Sequence, residues 1–175
     1  MKKHVSFVLV VLTVLAGSYG CSKKQPAVAV EVKPAFVEKF IKVHLKADPD
    51  LNLYAGTSHA LHLCMYQLIE PNTFNQFSED EAGLSKLMSC ERFDPGVAFA
   101  KRVILQPGKE EAFEMDRAEG AKFVGVVAGY YSLQKKDTVR LYTIPVFEAK
   151  KGVQPPLNVD LLLGPQGIIK SGDKP

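Results

Sequence analysis

The sequence predicts an all-β sandwich interrupted once by helix, and three observations lead there. Short runs alternate apolar and polar residues, turn signals punctuate them at close intervals, and a single segment switches to helical spacing. A parallel α/β sheet needs a helix after each strand, and the chain has one such segment only. Its 175 residues, 46% apolar and 23% charged, fit one globular domain better than two. The net charge of +3 includes Lys2 and Lys3 at the very start, so no basic stripe points to nucleic acid as a partner.

The first 20 residues, MKKHVSFVLVVLTVLAGSYG, read as an export signal: two lysines, an apolar run from Val5 to Ala16, then small residues before Cys21. A helix of that run rises about 18 Å and falls short of a hydrocarbon core of about 30 Å. Cys21 directly follows Gly20, the arrangement in which bacterial lipoproteins are cleaved and acylated, although Ser18 and Tyr19 depart from the usual lipobox letters. Cleavage after Ser18 or Gly20 without acylation is the alternative. Ser22, rather than Asp, resembles an outer-membrane sorting address. Residues 21–36 then read as a lipidated N-terminus and tether, rich in Pro and Lys, with a first strand through Val28, Val30 and Val32 as the other reading.

The first strand of the body runs from Phe40 to Lys46, with Ile41, Val43 and Leu45 on one face and Lys42, His44 and Lys46 on the other. Asp48-Pro49-Asp50 ends it and opens a long loop to Ser58. The second strand, Ala60 to Ile69, sets Leu61, Leu63 and Met65 opposite His62, Cys64 and Tyr66. Between Asn72 and Cys90 the spelling Ser78-Glu79-Asp80-Glu81 predicts a capping box in which Ser78 caps one helix of about three turns. Leu84, Leu87 and Met88 form its apolar side, with Phe74 and Phe77 beside it. Further strands are expected at Val97–Gln106, Glu110–Arg117, Ala121–Leu133, Thr138–Phe147 and Leu157–Leu163. The turns between them are marked by Pro107-Gly108, Glu119-Gly120, Lys135-Lys136-Asp137 and Pro155-Pro156. The domain is therefore bounded at 37–170, with 171–175 as a tail.

No catalytic or cofactor motif stands in this frame: the chain lacks GxSxG, HExxH, a P-loop and a dinucleotide fingerprint. An enzyme and a bound cofactor are not expected. His59 and His62 are three apart, which on a strand sends them to opposite faces, so no metal site is expected from the pair. Asp116-Arg117 and Glu110-Glu111 read as solvated charges. Cys64 and Cys90 are the thiols left once Cys21 is acylated, and in an oxidising envelope they read as a disulfide; two buried free thiols are the alternative. Closing that loop is worth roughly 3 kcal/mol in the chain-entropy model.

Several stretches carry a family resemblance: Asp50-Leu51-Asn52 in the first loop, Met65-Tyr66-Gln67-Leu68 followed by Phe74, Leu105-Gln106-Pro107-Gly108, and Phe123 through Tyr131. In order and spacing, behind a lipoprotein-like signal, they resemble the TssJ family of outer-membrane lipoproteins of the bacterial type VI secretion system. Lys135 to Arg140 departs from the family, many of whose members carry a Trp-Arg pair there. The resemblance implies a transthyretin-like two-sheet β-sandwich with an added helix, held on the periplasmic face of the outer membrane by a lipid anchor. It implies binding to the periplasmic domain of TssM and assembly with other membrane-complex subunits.

The family's TssM-contacting loop maps here onto Asp48, Pro49, Asp50, Leu51, Asn52, Leu53, Tyr54, Ala55, Gly56, Thr57 and Ser58. Leu51, Leu53 and Tyr54 are apolar residues in a loop, fit either to anchor an interface or to fold down over the sandwich edge. Other functions for such a scaffold are capture of a small ligand, inhibition of an envelope enzyme, or catalysis by the domain itself.

Overall fold

The computed structural model describes residues 34–145 and 154–171, all within the unit spanning 32–175. The signal, Cys21, the strand considered at Val28–Val32 and the ends expected at Phe147 and after Ser171 lie outside the described residues.

Eight strands form two four-stranded sheets. They are β1 (Val37–Ala47), β2 (Leu61–Leu68), β3 (Val97–Leu105), β4 (Glu110–Arg117), β5 (Phe123–Ala128), β6 (Val139–Thr143), β7 (Leu157–Leu163) and β8 (Ile168–Ser171). One sheet has the order β4-β1-β7-β8 and the other β3-β2-β5-β6. All pairings are antiparallel except β1 with β7. The expected two-sheet sandwich is present.

The alternation read in the sequence sets which residues enter the core. Ile41, Val43 and Leu45 of β1 and Leu61, Leu63 and Met65 of β2 are fully buried between the sheets, joined by Val124 and Val126 of β5 and Val159 and Leu161 of β7. The opposite face of β1 is charged, and there His44 sits between Glu110 at 2.6 Å and Asp160 at 3.7 Å.

The opposite face of β2 is different: Cys64, Tyr66 and Leu68 are also buried, in a second cluster with Phe74, Leu84, Leu87, Val97 and Val127. The helical insertion supplies that cover. It is divided into two short helices, α1 (Asn72–Phe77) and α2 (Glu81–Leu87). Ser78 ends α1, its hydroxyl donating back to the Phe74 carbonyl at 2.7 Å. The cap of α2 is Asp80, whose carboxylate accepts from the Gly83 N–H at 2.7 Å, so the cap expected at Ser78 falls two residues later, and with Gly83 at the reciprocal position the expected box does not form. Tyr66 meets Phe74 and Phe93 edge to face, and its hydroxyl donates to the Leu87 carbonyl at the end of α2.

Other boundaries moved for local reasons. β5 ends at Ala128 rather than Leu133, because the chain turns at Gly129 and sends Tyr130 into the core. Thr138 closes a helical turn, α3 (Lys135–Thr138), through its own N–H and hydroxyl on the Gln134 carbonyl, so β6 starts at Val139. β8, not expected from the sequence, pairs with β7 and includes Ser171.

Arg117 is a correction to the reading of Asp116-Arg117 as solvated charges. Its side chain is buried, with Nε donating to the Ala121 carbonyl at 3.0 Å and the guanidinium over the Phe40 ring. Burial lowers its pKa from the ordinary value.

At Gly125 of β5 the helical cover packs tightly on the sheet: a Cβ there would stand 2.7 Å from two carbons of the Phe74 ring. Gly125→Ala is expected to destabilise the domain by about 1–3 kcal/mol through overpacking. A urea unfolding midpoint that falls, and partly recovers when Phe74→Leu is added, checks this; an unchanged midpoint contradicts the close contact.

Candidate functional site

The loop from Asp48 to Ala60 is held to its neighbours at nearly every residue. The Asp48 N–H donates to the Leu163 carbonyl at 2.8 Å, Asn52 to Gly164 at 3.3 Å and Leu53 to Pro165 at 2.8 Å, laying the loop along the end of β7. Asp48 Oδ1 accepts from the Asp50 N–H at 2.8 Å, an Asx turn of the kind that Asp-Pro-Asp favours. Leu51 is fully buried in the core, and its carbonyl accepts from the His59 N–H at 3.0 Å.

At the tip, Tyr54 and Thr57 exchange both backbone hydrogen bonds at 2.9 Å around Ala55 and Gly56. Those two residues have φ of 49° and 78°, the left-handed pair that a two-residue type I′ turn requires, and Gly56 adopts it without strain. Pro49, Asp50, Tyr54, Ala55, Gly56 and Thr57 are exposed, whereas Asp48, Leu53 and Ser58 are half-buried.

Asn52 is the bracket of the loop. It is buried at φ 48°, its amide donates to the Ala60 carbonyl at 3.3 Å, and its Oδ1 accepts from the Tyr131 N–H at 3.2 Å. The Tyr131 ring then stacks on Tyr54 with centroids 4.2 Å apart, and His59 meets it edge-on at 5.2 Å. Tyr54 is 57% exposed and Tyr131 56%, so two parallel aromatic rings face outward on a rigid base. Aromatic side chains held this way present a large apolar area with little ordering entropy left to lose on binding.

The predicted partner-contact segment is thus of two kinds. Leu51 and Asn52 are interior and shape the loop; Tyr54 and its turn are surface. Tyr131 and His59 complete the platform and were not among the partner-contact residues expected from sequence. The signal that leads to them is topological: β2 and β5 pair antiparallel with Leu63 opposite Ala128, so the residues after β5 must meet those before β2.

Cys64 and Cys90 are bonded, with Cα atoms 5.0 Å apart, joining the outer face of β2 to the end of α2. His62, two residues before Cys64 on the same face, lies with Nε2 3.2 Å from Cys90 Sγ. Burial, together with the nearby Arg102 guanidinium, lowers its pKa from the ordinary value and favours the neutral ring. His62 and His59 do not converge, as their spacing implies: one faces α2 and the other the aromatic platform.

A family model described as type VI secretion lipoprotein, VasD, EvfM, TssJ, matches residues 39–162. The chain belongs to this family. Among solved structures, the lipoprotein resembles the type VI lipoprotein TssJ1 of Pseudomonas aeruginosa at 23% identity and TM-score 0.60, over 81% of this chain and 99% of that one. It resembles Serratia marcescens Lip, a membrane-bound component of the type VI secretion system, at 16% identity and TM-score 0.60, over 76% and 96%. It also resembles a chain in the structure of the T6SS protein TssM C-terminal domain from EAEC, at 19% identity and TM-score 0.58, over 82% and 100%. At these identities the likeness is one of fold. No curated protein matches the lipoprotein.

Asn52→Ala is expected to cost about 1–3 kcal/mol, since it removes the acceptor for the part-buried Tyr131 N–H and leaves Ala at positive φ. Asn52→Gly, which tolerates that φ, is expected to cost about 1 kcal/mol less. Faster amide exchange at Tyr131 in both variants checks the assignment; unchanged exchange there contradicts it.

Proposed function

We propose that this lipoprotein is a subunit of the type VI secretion membrane complex that binds the periplasmic domain of TssM through the Tyr54–Tyr131 platform. It acts as a binding module and not as an enzyme, anchored by acylated Cys21 on the periplasmic face of the outer membrane. The observation that carries the reading is the stacked, exposed aromatic pair on a loop fixed by buried Leu51 and Asn52. Exposed aromatics on a preorganised base are the side chains that most often dominate binding energy.

The family adds the setting. Its members are type VI secretion lipoproteins, and the loop that resembles the family's TssM contact carries the platform. The sequence before the domain supports the anchor: a short apolar signal ends at Gly20-Cys21, and Ser22 fits an outer-membrane address. Each buried methylene of an acyl chain contributes about 0.8 kcal/mol, so a multiply acylated cysteine holds a domain of this size on a membrane stably. The tether at 21–36 then lets the domain stand off the bilayer, with Lys23, Lys24 and Lys33 along it.

Tyr54→Ala and Tyr131→Ala are each expected to weaken binding to the TssM periplasmic domain about tenfold or more, as loss of a central aromatic anchor does. Lys42→Ala, on the charged outer face of the other sheet, is expected to leave it unchanged. Calorimetric titration of the folded variants decides, and full affinity in both tyrosine variants would remove the platform from the reading. Point variants serve better than a loop deletion because Leu51 and Asn52 belong to the folded interior. For the anchor, Cys21→Ser is expected to move the protein from the outer-membrane to the soluble periplasmic fraction; retention in the membrane contradicts acylation at Cys21.

A further inference from the structure

The outer face of β2 carries a second feature that partner binding does not use. His62 and Cys64 stand two residues apart on one face of the strand, and Cys90 reaches them from beyond the end of α2 at φ 57°. One nitrogen and two sulfurs from these residues lie within 4.8 Å of one another. His62 Nε2 is 3.2 Å from Cys90 Sγ and 3.8 Å from Cys64 Sγ. In a tetrahedral zinc site with Zn–S of about 2.3 Å and Zn–N of about 2.0 Å, a nitrogen and a sulfur ligand are about 3.5 Å apart. The histidine is thus already at ligand spacing from both sulfurs.

We propose that the reduced lipoprotein holds one zinc ion between His62, Cys64 and Cys90, so that the same two sulfurs clasp the helical insertion to β2 either by a covalent bond or through the metal. The two clasps exclude each other. Reduction by a dithiol donor passes two electrons and two protons to the disulfide and leaves the donor oxidised to its own disulfide. Zinc uptake then displaces the two thiol protons to solvent, and the sulfurs separate from about 2 Å to about 3.8 Å.

The surroundings suit a thiophilic ion. Arg102 stands opposite Cys64 in the β2–β3 register, and its guanidinium donates to the Ser89 carbonyl at 2.8 Å, next to Cys90 in sequence. A cation there favours thiolate over thiol. Cys64 is fully buried while His62 and Cys90 are half-buried, so the site opens to solvent on one side, from which a water could supply the fourth ligand. Cys64 belongs to a buried apolar cluster against which Cys90, Met88 and Phe93 pack, a setting that suits soft sulfur ligands.

The test uses the full chain carrying Cys21→Ser, which leaves two thiols, reduced and kept under anaerobic conditions. Cobalt(II) is the probe, because thiolate coordination gives charge-transfer absorption in the near ultraviolet and tetrahedral geometry gives visible d–d bands. One equivalent is expected to develop both bands, zinc is expected to bleach them, and the oxidised protein is expected to show neither. His62→Ala is expected to weaken cobalt binding at least tenfold and to alter the d–d bands. Absence of thiolate bands in the folded reduced protein overturns the proposal, and so does a His62→Ala variant that binds unchanged. Should the reduced protein unfold without metal, recovery of its circular dichroism by one equivalent of zinc supports the site, and failure to recover overturns it.

Discussion

The structure depends on β2 being apolar on both faces. A central strand of a two-sheet sandwich ordinarily buries one face and wets the other, as β1 does with Lys42, His44 and Lys46. β2 buries Leu61, Leu63 and Met65 between the sheets and Cys64, Tyr66 and Leu68 on the other side. Leaving that second face open would expose several large apolar groups, each worth about 1.5–3 kcal/mol when covered. A third layer is therefore required. The helical insertion between β2 and β3 provides it, with Phe74 against Gly125, Leu87 over Tyr66 and the disulfide fixing the far end.

The same strand places the aromatic platform. β2 pairs antiparallel with β5, so its N-terminal end and the C-terminal end of β5 lie side by side. The loop entering β2 and the chain leaving β5 consequently share one rim of the sandwich, where Asn52 ties them with a hydrogen bond and Tyr54 stacks on Tyr131. Burial of Leu51 and Asn52 keeps the rings outward without leaving them loose. The rigidity of the loop comes from the interior, and its aromatic surface from the few residues that interior leaves exposed.

What the sequence made legible is what local periodicity encodes. The inward sets Ile41, Val43, Leu45 and Leu61, Leu63, Met65 and the presence of a helical insertion could be read from spacing, and the Cys64–Cys90 bond was the expected outcome for two thiols in an oxidising envelope; the burial of the other face of β2 could not be read that way. The misreadings are non-local. Ser78 and Asp80 are both good caps, and the choice fell to Asp80 once Phe74 was pinned under β5 and Ser78 closed α1. Arg117 reads as a surface charge until the Ala121 and Pro145 carbonyls fold round it. β8 spans only Ile168–Ser171, too short for a pattern, and exists because β7 has an open edge. Tyr131 joined the site through strand pairing, which no window of neighbouring residues contains. Leu51 and Tyr54, three apart in one loop, took opposite fates, interior and surface.

Family membership, the exposed aromatic platform and the signal-like segment before Cys21 support the proposed tethered binding module, whose central claim is where the partner sits. Hydrogen–deuterium exchange of the lipoprotein with and without the TssM periplasmic domain tests this most directly. The account predicts added protection across residues 53–59 and around Tyr131, with the charged outer face of β1, β4 and β7 unchanged. Protection concentrated on that outer face, with the platform exchanging as in the free protein, would contradict it.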